Sequence, residues 1–178
     1  MGRIGTGAGE PGRDEGKGGL GERLPALGPR GEGWVAIQAV LLAGIGLSIL
    51  AGPAVSGPAR LAAAAVGVLL LAAGGALGLA GLVGLGRSLT AFPAPRPDGE
   101  LVTGGAYRLV RHPIYGGLVL GGLGWSSLGA SPAALLLSAA LLGFFDLKAR
   151  REEAWLVEAY AGYAAYRRRT RRLIPWLY

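Results

Sequence analysis

The sequence predicts an all-α, polytopic membrane protein with about four transmembrane helices and a C-terminal helix at the cytoplasmic interface. Composition, the length of the uncharged runs and the placement of the basic residues carry this prediction. Of the 178 residues, 51% are hydrophobic and 16% charged, too apolar a balance for an ordinary soluble domain. Four spans would put 17 of the 18 Lys and Arg residues on one side, leaving only Arg60 opposite, as the positive-inside rule requires. The formal charge of +7 therefore reads as topology, and nucleic acid is not expected as a partner. With no cysteine and one histidine, the chain lacks the ligands of a zinc, haem or iron–sulfur site, so no metal is expected.

Residues 1–33, rich in glycine and proline with five basic and five acidic side chains, should form a disordered N-terminal segment. They hold no apolar stretch of the kind a cleavable signal peptide needs. The membrane domain is expected over 34–178. Its first span, Trp34 to Ala51, is an 18-residue uncharged run closed by Gly52-Pro53, about 27 Å of helix against a hydrocarbon core of about 30 Å. The second is Leu61 to Gly86, 26 residues without charge. Its glycines at 67, 74, 78 and 81 would let another helix approach closely. Arg87 to His112 is a polar loop whose prolines at 93, 95 and 97 exclude a regular helix.

From Ile114 to Phe145 no charge occurs for 32 residues, roughly 48 Å of helix, too long for one crossing and barely enough for two. Ser131-Pro132 marks a hairpin between spans at about 113–130 and 132–146. A single crossing would strand the eight basic residues of the tail on the wrong face, so both termini are expected in the cytoplasm, beneath a cell inner or plasma membrane. A last helix over about 147–170 would place Trp155, Ala159, Tyr163 and Tyr166 on one face, suited to a membrane surface or the end of the bundle. The arginines at 167–169, 171 and 172 would anchor topology and meet anionic headgroups of membrane lipids.

Chemistry concentrates between Gly105 and Gly117, where the lone histidine, two tyrosines and Arg111 lead into the third span. Pro113 fixes φ and disfavours helical backbone at His112, so a helix should begin at Pro113 with His112 just outside. Free amides at that start, with Arg111 beside them, could seat a carboxylate or phosphate. A snorkelling arginine and interfacial tyrosines at an ordinary membrane helix explain the same spacing. Downstream, Asp146/Arg150 and Lys148/Glu152 lie four apart, pairs worth about 0.2–0.5 kcal/mol on a helix surface. Adjacent helix residues point about 100° apart, so one of Glu152 and Glu153 should turn elsewhere. Facing the third span, it would complete a site able to accept hydrogen bonds from hydroxyls or to offset a cation.

Gly-x-Tyr-x-x-x-Arg-His-Pro-x-Tyr-x-Gly over Gly105–Gly117, then Glu152-Glu153-x-x-Leu156, Tyr163-x-x-Tyr166 and Leu173-Ile174-Pro175, resembles the isoprenylcysteine carboxyl methyltransferase family in order and spacing. The likeness covers residues 101–175; the first two spans are similar only as apolar helices. The family's integral membrane enzymes, like their phospholipid methyltransferase relatives, take a methyl group from S-adenosylmethionine in a pocket capped by the C-terminal segment. The resemblance implies that Tyr107, His112, Pro113, Tyr115, Glu152 and Glu153 contact the cofactor, with a glutamate on the ribose. It also implies that Arg172 pairs with a carboxylate or phosphate of a lipophilic acceptor. Arg111 is the candidate for orienting the acceptor or the cofactor's carboxylate. Ala159-Tyr160 stands where the family usually has Phe-Gly, and Arg171 where a proline is common; both departures bear on the lid and the acceptor more than on the cofactor site.

An activated sulfonium methyl needs alignment and dryness more than a strong acid or base, which suits this inventory. Prenylcysteine carboxylates, lipid amines and thiols are all compatible acceptors. Two rival readings are an NADPH-dependent reductase of the sterol reductase type, which shares Arg-His-Pro-x-Tyr but usually lacks the glutamate pair, and a non-catalytic membrane scaffold.

Overall fold

The computed structural model describes residues 20–51, 54 and 56–175. The disordered segment expected over 1–33 lies largely outside them, as do Gly52-Pro53 and the last three residues. All regular elements among the described residues are helical: α1 (Leu20–Arg23), α2 (Glu32–Leu47), α3 (Gly57–Leu85), α4 (Pro113–Gly129), α5 (Pro132–Ala159) and α6 (Tyr163–Arg169). Short 3-10 turns follow α2 and α3 and precede α4. Residues 20–33 are not featureless: α1 rests on α5, with Arg151 Nη1 donating to the Gly21 carbonyl at 3.4 Å.

Two helices, Gly57–Ser88 with its terminal 3-10 turn and Pro132–Ala159, are long and apolar enough to cross a membrane; α2 is apolar but shorter. Only 17% of the most apolar window of α3 is buried, and Leu61, Leu69, Leu79 and Val83 are exposed on it. A core helix of a soluble protein would hide such a surface; a helix facing lipid leaves it open.

Helix α4 is the centre of the bundle. Its 17 residues rise about 25 Å and bury glycines against α3. A Cβ added to Gly67 would sit 2.7 Å from the Gly124 carbonyl oxygen, one on Gly74 would sit 2.6 Å from that of Gly117, and one on Gly81 would sit 2.8 Å from the Pro113 ring. The seven-residue spacing thus makes a seam along which the two backbones touch, the mode of association available where lipid replaces the hydrophobic drive. Gly74→Leu should therefore lower stability in detergent by about 1–3 kcal/mol through overpacking. Gly75→Ala, where nothing beyond its own helix backbone lies within 4 Å of the new Cβ among the described residues, should not lower the melting temperature, since alanine is the better helix former; equal effects would dismiss the seam.

The α4–α5 hairpin turns through Ala130 in a left-handed conformation (φ 47°), and the Ser131 hydroxyl caps α5 by accepting from the Ala134 amide at 3.3 Å. At this end the Ala54 amide donates to the Ala130 carbonyl at 3.0 Å. At the other end α2 meets α5 through Trp34 and Phe144, with ring centroids 5.6 Å apart. Ile45, Val119, Leu141, Phe145 and Leu173 form the core between.

The tail departs from expectation in two ways. The fourth apolar run and the helix after it form one 28-residue element, α5. It then stops at Tyr160, whose backbone is extended (φ −128°, ψ 110°). Trp155 and Ala159 therefore do not share a helix with Tyr163 and Tyr166. The break folds the chain back, so Tyr163 is 2% exposed and the C-terminal segment reaches the start of α4.

Candidate functional site

The starts of α2 and α4, the ends of α3 and α5 and the 86–112 loop meet at one end of the bundle. Gly105 adopts φ 57°, a backbone state that glycine enters without cost, and opens a 3-10 turn that buries Ala106 and Tyr107. Val110 then forms a parallel bridge with Arg171: the Arg111 and His112 amides donate to the Arg171 and Arg172 carbonyls at 2.8 and 3.0 Å. Helix α4 starts at Pro113 with His112 outside it. Leu173, fully buried, lies beside Gly116, where a Cβ would strike the Leu173 carbonyl.

Beneath this clasp Glu153, at 1% exposure, gathers the nearby cations. Its Oε1 accepts from Arg111 Nε at 2.8 Å and from Arg172 Nε at 3.2 Å, and lies 3.3 Å from His112 Nε2. Its Oε2 makes no hydrogen bond among the described residues and meets Arg167 Nε at 3.5 Å. Arg111 Nη1 also donates to the carbonyls of Arg167 and Thr170, and Arg172 Nη1 donates to Asp146 Oδ1 at 2.6 Å. Both arginines are thus spent on closing the tail over the bundle.

Next to this cluster lies a cavity of about 360 Å³, within the usual range of small-molecule sites. Tyr107, Arg111, His112, Tyr115 and Glu152 line it; Pro113, Glu153 and Arg172 are not among its lining residues. Glu152 is the glutamate facing the space. Its Oε2 accepts from the Tyr115 hydroxyl at 2.6 Å and its Oε1 is 3.9 Å from His112 Nδ1. The rings of His112 and Tyr115 stack at 5.3 Å, and those of Tyr115 and Phe145 at 4.6 Å. Leu82, Leu85, Leu89 and Leu156 supply apolar wall.

Sequence reasoning missed several lining residues. Lys148 does not pair with Glu152 on a surface; it is 1% exposed and donates to Gln38 Oε1 at 2.6 Å. Two polar residues in otherwise apolar helices were the available signal. Tyr163 lines the same space, and its buried hydroxyl has no hydrogen-bond partner among the described residues. Burial pushes its phenol well above the ordinary range, Glu153 adding to the effect, and does the same to Tyr107, helped by Glu152. Tyr166, which donates to the Tyr107 carbonyl at 2.7 Å, is pushed up to about 12 by burial. All three remain neutral donors at neutral pH.

Residues 62–162, more than half of the chain, match the phospholipid methyltransferase family. The chain is 40% identical over 86 residues to the cobalt-zinc-cadmium resistance protein CzcN of Cupriavidus metallidurans, covering 46% of this chain and 38% of that protein. It is 37% identical over 98 residues to the protein-S-isoprenylcysteine O-methyltransferase of Schizosaccharomyces pombe, covering 53% of this chain and 42% of that enzyme. The chain thus aligns with about two fifths of the length of each of these relatives. No solved structure matches it with significance.

Proposed function

The chain belongs to the phospholipid methyltransferase family, related to the isoprenylcysteine carboxyl methyltransferases, and from that premise we propose that it is a membrane methyltransferase that uses S-adenosylmethionine and acts on a lipophilic acceptor. The observation that carries the reading is the cavity itself: Tyr107, His112 and Tyr115 from one motif and Glu152 from the other line a single, largely apolar space. Four spans with both termini cytoplasmic would put this space, and the basic loops around it, at the cytoplasmic boundary. There a polar cofactor arrives from water and a lipid-like acceptor from the bilayer.

The residues fit the cofactor. Tyr163 offers a buried hydroxyl without a partner among the described residues, and Glu152 keeps a carboxylate on the wall, able to accept from ribose hydroxyls or to offset a cation. When bound, S-adenosylmethionine supplies a methyl group already activated by its sulfonium. The protein's part is alignment and exclusion of water. His112 and Tyr115 form a stacked wall, Pro113 sets the start of α4, and Glu153 anchors the wall. Arg111, the candidate for orienting the acceptor or the cofactor's carboxylate, and Arg172, the implied partner of the acceptor's charge, serve in this reading as positioning residues that hold the tail over the site. The acceptor is a carboxylate, amine or thiol on an apolar body.

Calorimetry on detergent-purified protein tests this. S-adenosylmethionine and S-adenosylhomocysteine should bind at micromolar levels, and His112→Ala should weaken both at least tenfold. Binding of NADPH alone would redirect the reading to a reductase; well-folded protein that binds none of the three would leave a scaffold.

A further inference from the structure

Among the described residues, Lys148 is the buried charged side chain of the cavity wall that the proposed methyl transfer does not use. It lines the space beside Glu152 yet is 1% exposed. Its Nζ donates to a neutral partner, Gln38 Oε1, at 2.6 Å, and lies 4.8 Å from the Tyr115 ring centroid and 5.9 Å from that of Phe145. Among the described residues no carboxylate is in direct ion-pair contact with it: Asp146 is engaged by Arg150 and Arg172, and Glu152, whose charge acts on the ammonium from the same wall, is held by the Tyr115 hydroxyl. A buried ammonium held by one amide and aromatic faces is poorly compensated, although the faces attract it. Three donors on the ammonium exceed the single acceptor provided. An arrangement of this kind is completed by an anion in the cavity.

We propose that Lys148, presented by Gln38 and Tyr115, is the anion-binding residue of the cavity and receives a ligand carboxylate. The inference rests on the methyltransferase reading for its choice of ligands. The carboxylate has two sources: the amino-acid part of the methyl donor, or an acidic group on the lipophilic acceptor. In both, the ammonium exchanges incomplete compensation for a charge-assisted hydrogen bond in a site of low dielectric, where such bonds are strongest. Gln38, on α2, fixes the direction of the lysine stem, so the charge is presented at one place on the wall.

The test uses three probes on the detergent-purified full chain: S-adenosylhomocysteine, methylthioadenosine, which keeps the nucleoside thioether but lacks the amino acid, and oleate as an apolar carboxylate. Lys148→Met removes the charge at similar length, and Lys148→Arg keeps it. If the carboxylate is the donor's, Lys148→Met weakens S-adenosylhomocysteine about tenfold and leaves methylthioadenosine unchanged. If it is the acceptor's, the same variant weakens oleate alone. In either case Lys148→Arg restores most of the loss, and Gln38→Leu gives a smaller loss of the same selectivity. A lysine that is merely structural would lower the melting temperature and weaken every probe alike, which overturns the proposal; so does unchanged binding of all three. Wild-type protein that binds oleate through Lys148 but neither nucleoside sinks the methyltransferase reading and leaves the anion site standing. Wild-type protein that binds none of the probes sinks both.

Discussion

Replacing Glu153 with glutamine is expected to cost about 3–5 kcal/mol of stability, the penalty for removing one partner of a buried charge pair. The carboxylate is 1% exposed, and Arg111 beside it is 9% exposed, so solvent cannot take over when the charge is lost. Arg111 Nε, Arg172 Nε and His112 Nε2 all converge on its Oε1 within 3.3 Å. Glutamine could accept from one of them but would leave a guanidinium buried without a counter-charge. The same loss should loosen the Val110–Arg171 bridge and the carbonyl contacts of Arg111 at Arg167 and Thr170, since the guanidinium links them. Unfolding in mixed micelles measures the cost, and a double-mutant cycle with Arg111→Met apportions it. The double variant should be less destabilised than the sum of the singles, because it no longer strands a charge. A Glu153→Gln protein within about 1 kcal/mol of wild type would mean that the cluster is not what closes the tail.

Where sequence reasoning reached and where it stopped follows from the range of the interactions involved. The start of α4 is legible at Pro113 because proline constrains its own residue and the one before it. The small-residue seam of α3 is legible because Gly67, Gly74 and Gly81 recur on one face. Lys148 shows the limit. Four residues from Glu152, it satisfies the surface-pair pattern, yet its partner Gln38 lies 110 residues away, and nothing local to either marks the pairing. Arg111 likewise reads as a free cation at a helix start until α5 packs beside it to present Glu153 and the tail folds back to place the Thr170 carbonyl on it. The break at Tyr160 is a tertiary event as well: Ala-Tyr-Ala-Gly over 159–162 tolerates helix, and burial of Tyr163 together with the bridge at Arg171 sets the chain reversal. The surface-pair reading of adjacent glutamates failed because both residues face inward, one into a charge cluster and one into a cavity.

Glu152 separates binding from folding, and its neutralisation should produce the opposite phenotype. It stands on the cavity wall with its side chain 21% exposed, and its hydrogen bond among the described residues, from Tyr115 at 2.6 Å, can be taken over by the amide oxygen of glutamine. Glu152→Gln should therefore melt close to wild type. If the carboxylate accepts from both ribose hydroxyls, two charge-assisted bonds of about 1.5 kcal/mol each are weakened, and affinity for S-adenosylhomocysteine falls about 100-fold. Comparing donor and product resolves what the charge does. S-adenosylmethionine carries a sulfonium and S-adenosylhomocysteine a neutral thioether, so equal losses assign Glu152 to the shared ribose, while a larger loss for the cationic donor assigns it to the sulfonium. Tyr115→Phe frees the carboxylate from its protein partner but lets it swing, and should weaken both ligands by a smaller, equal factor. Unchanged binding of both by a folded Glu152→Gln protein would remove Glu152 from the site. The cofactor would then have to be read from the tyrosines and Lys148 alone.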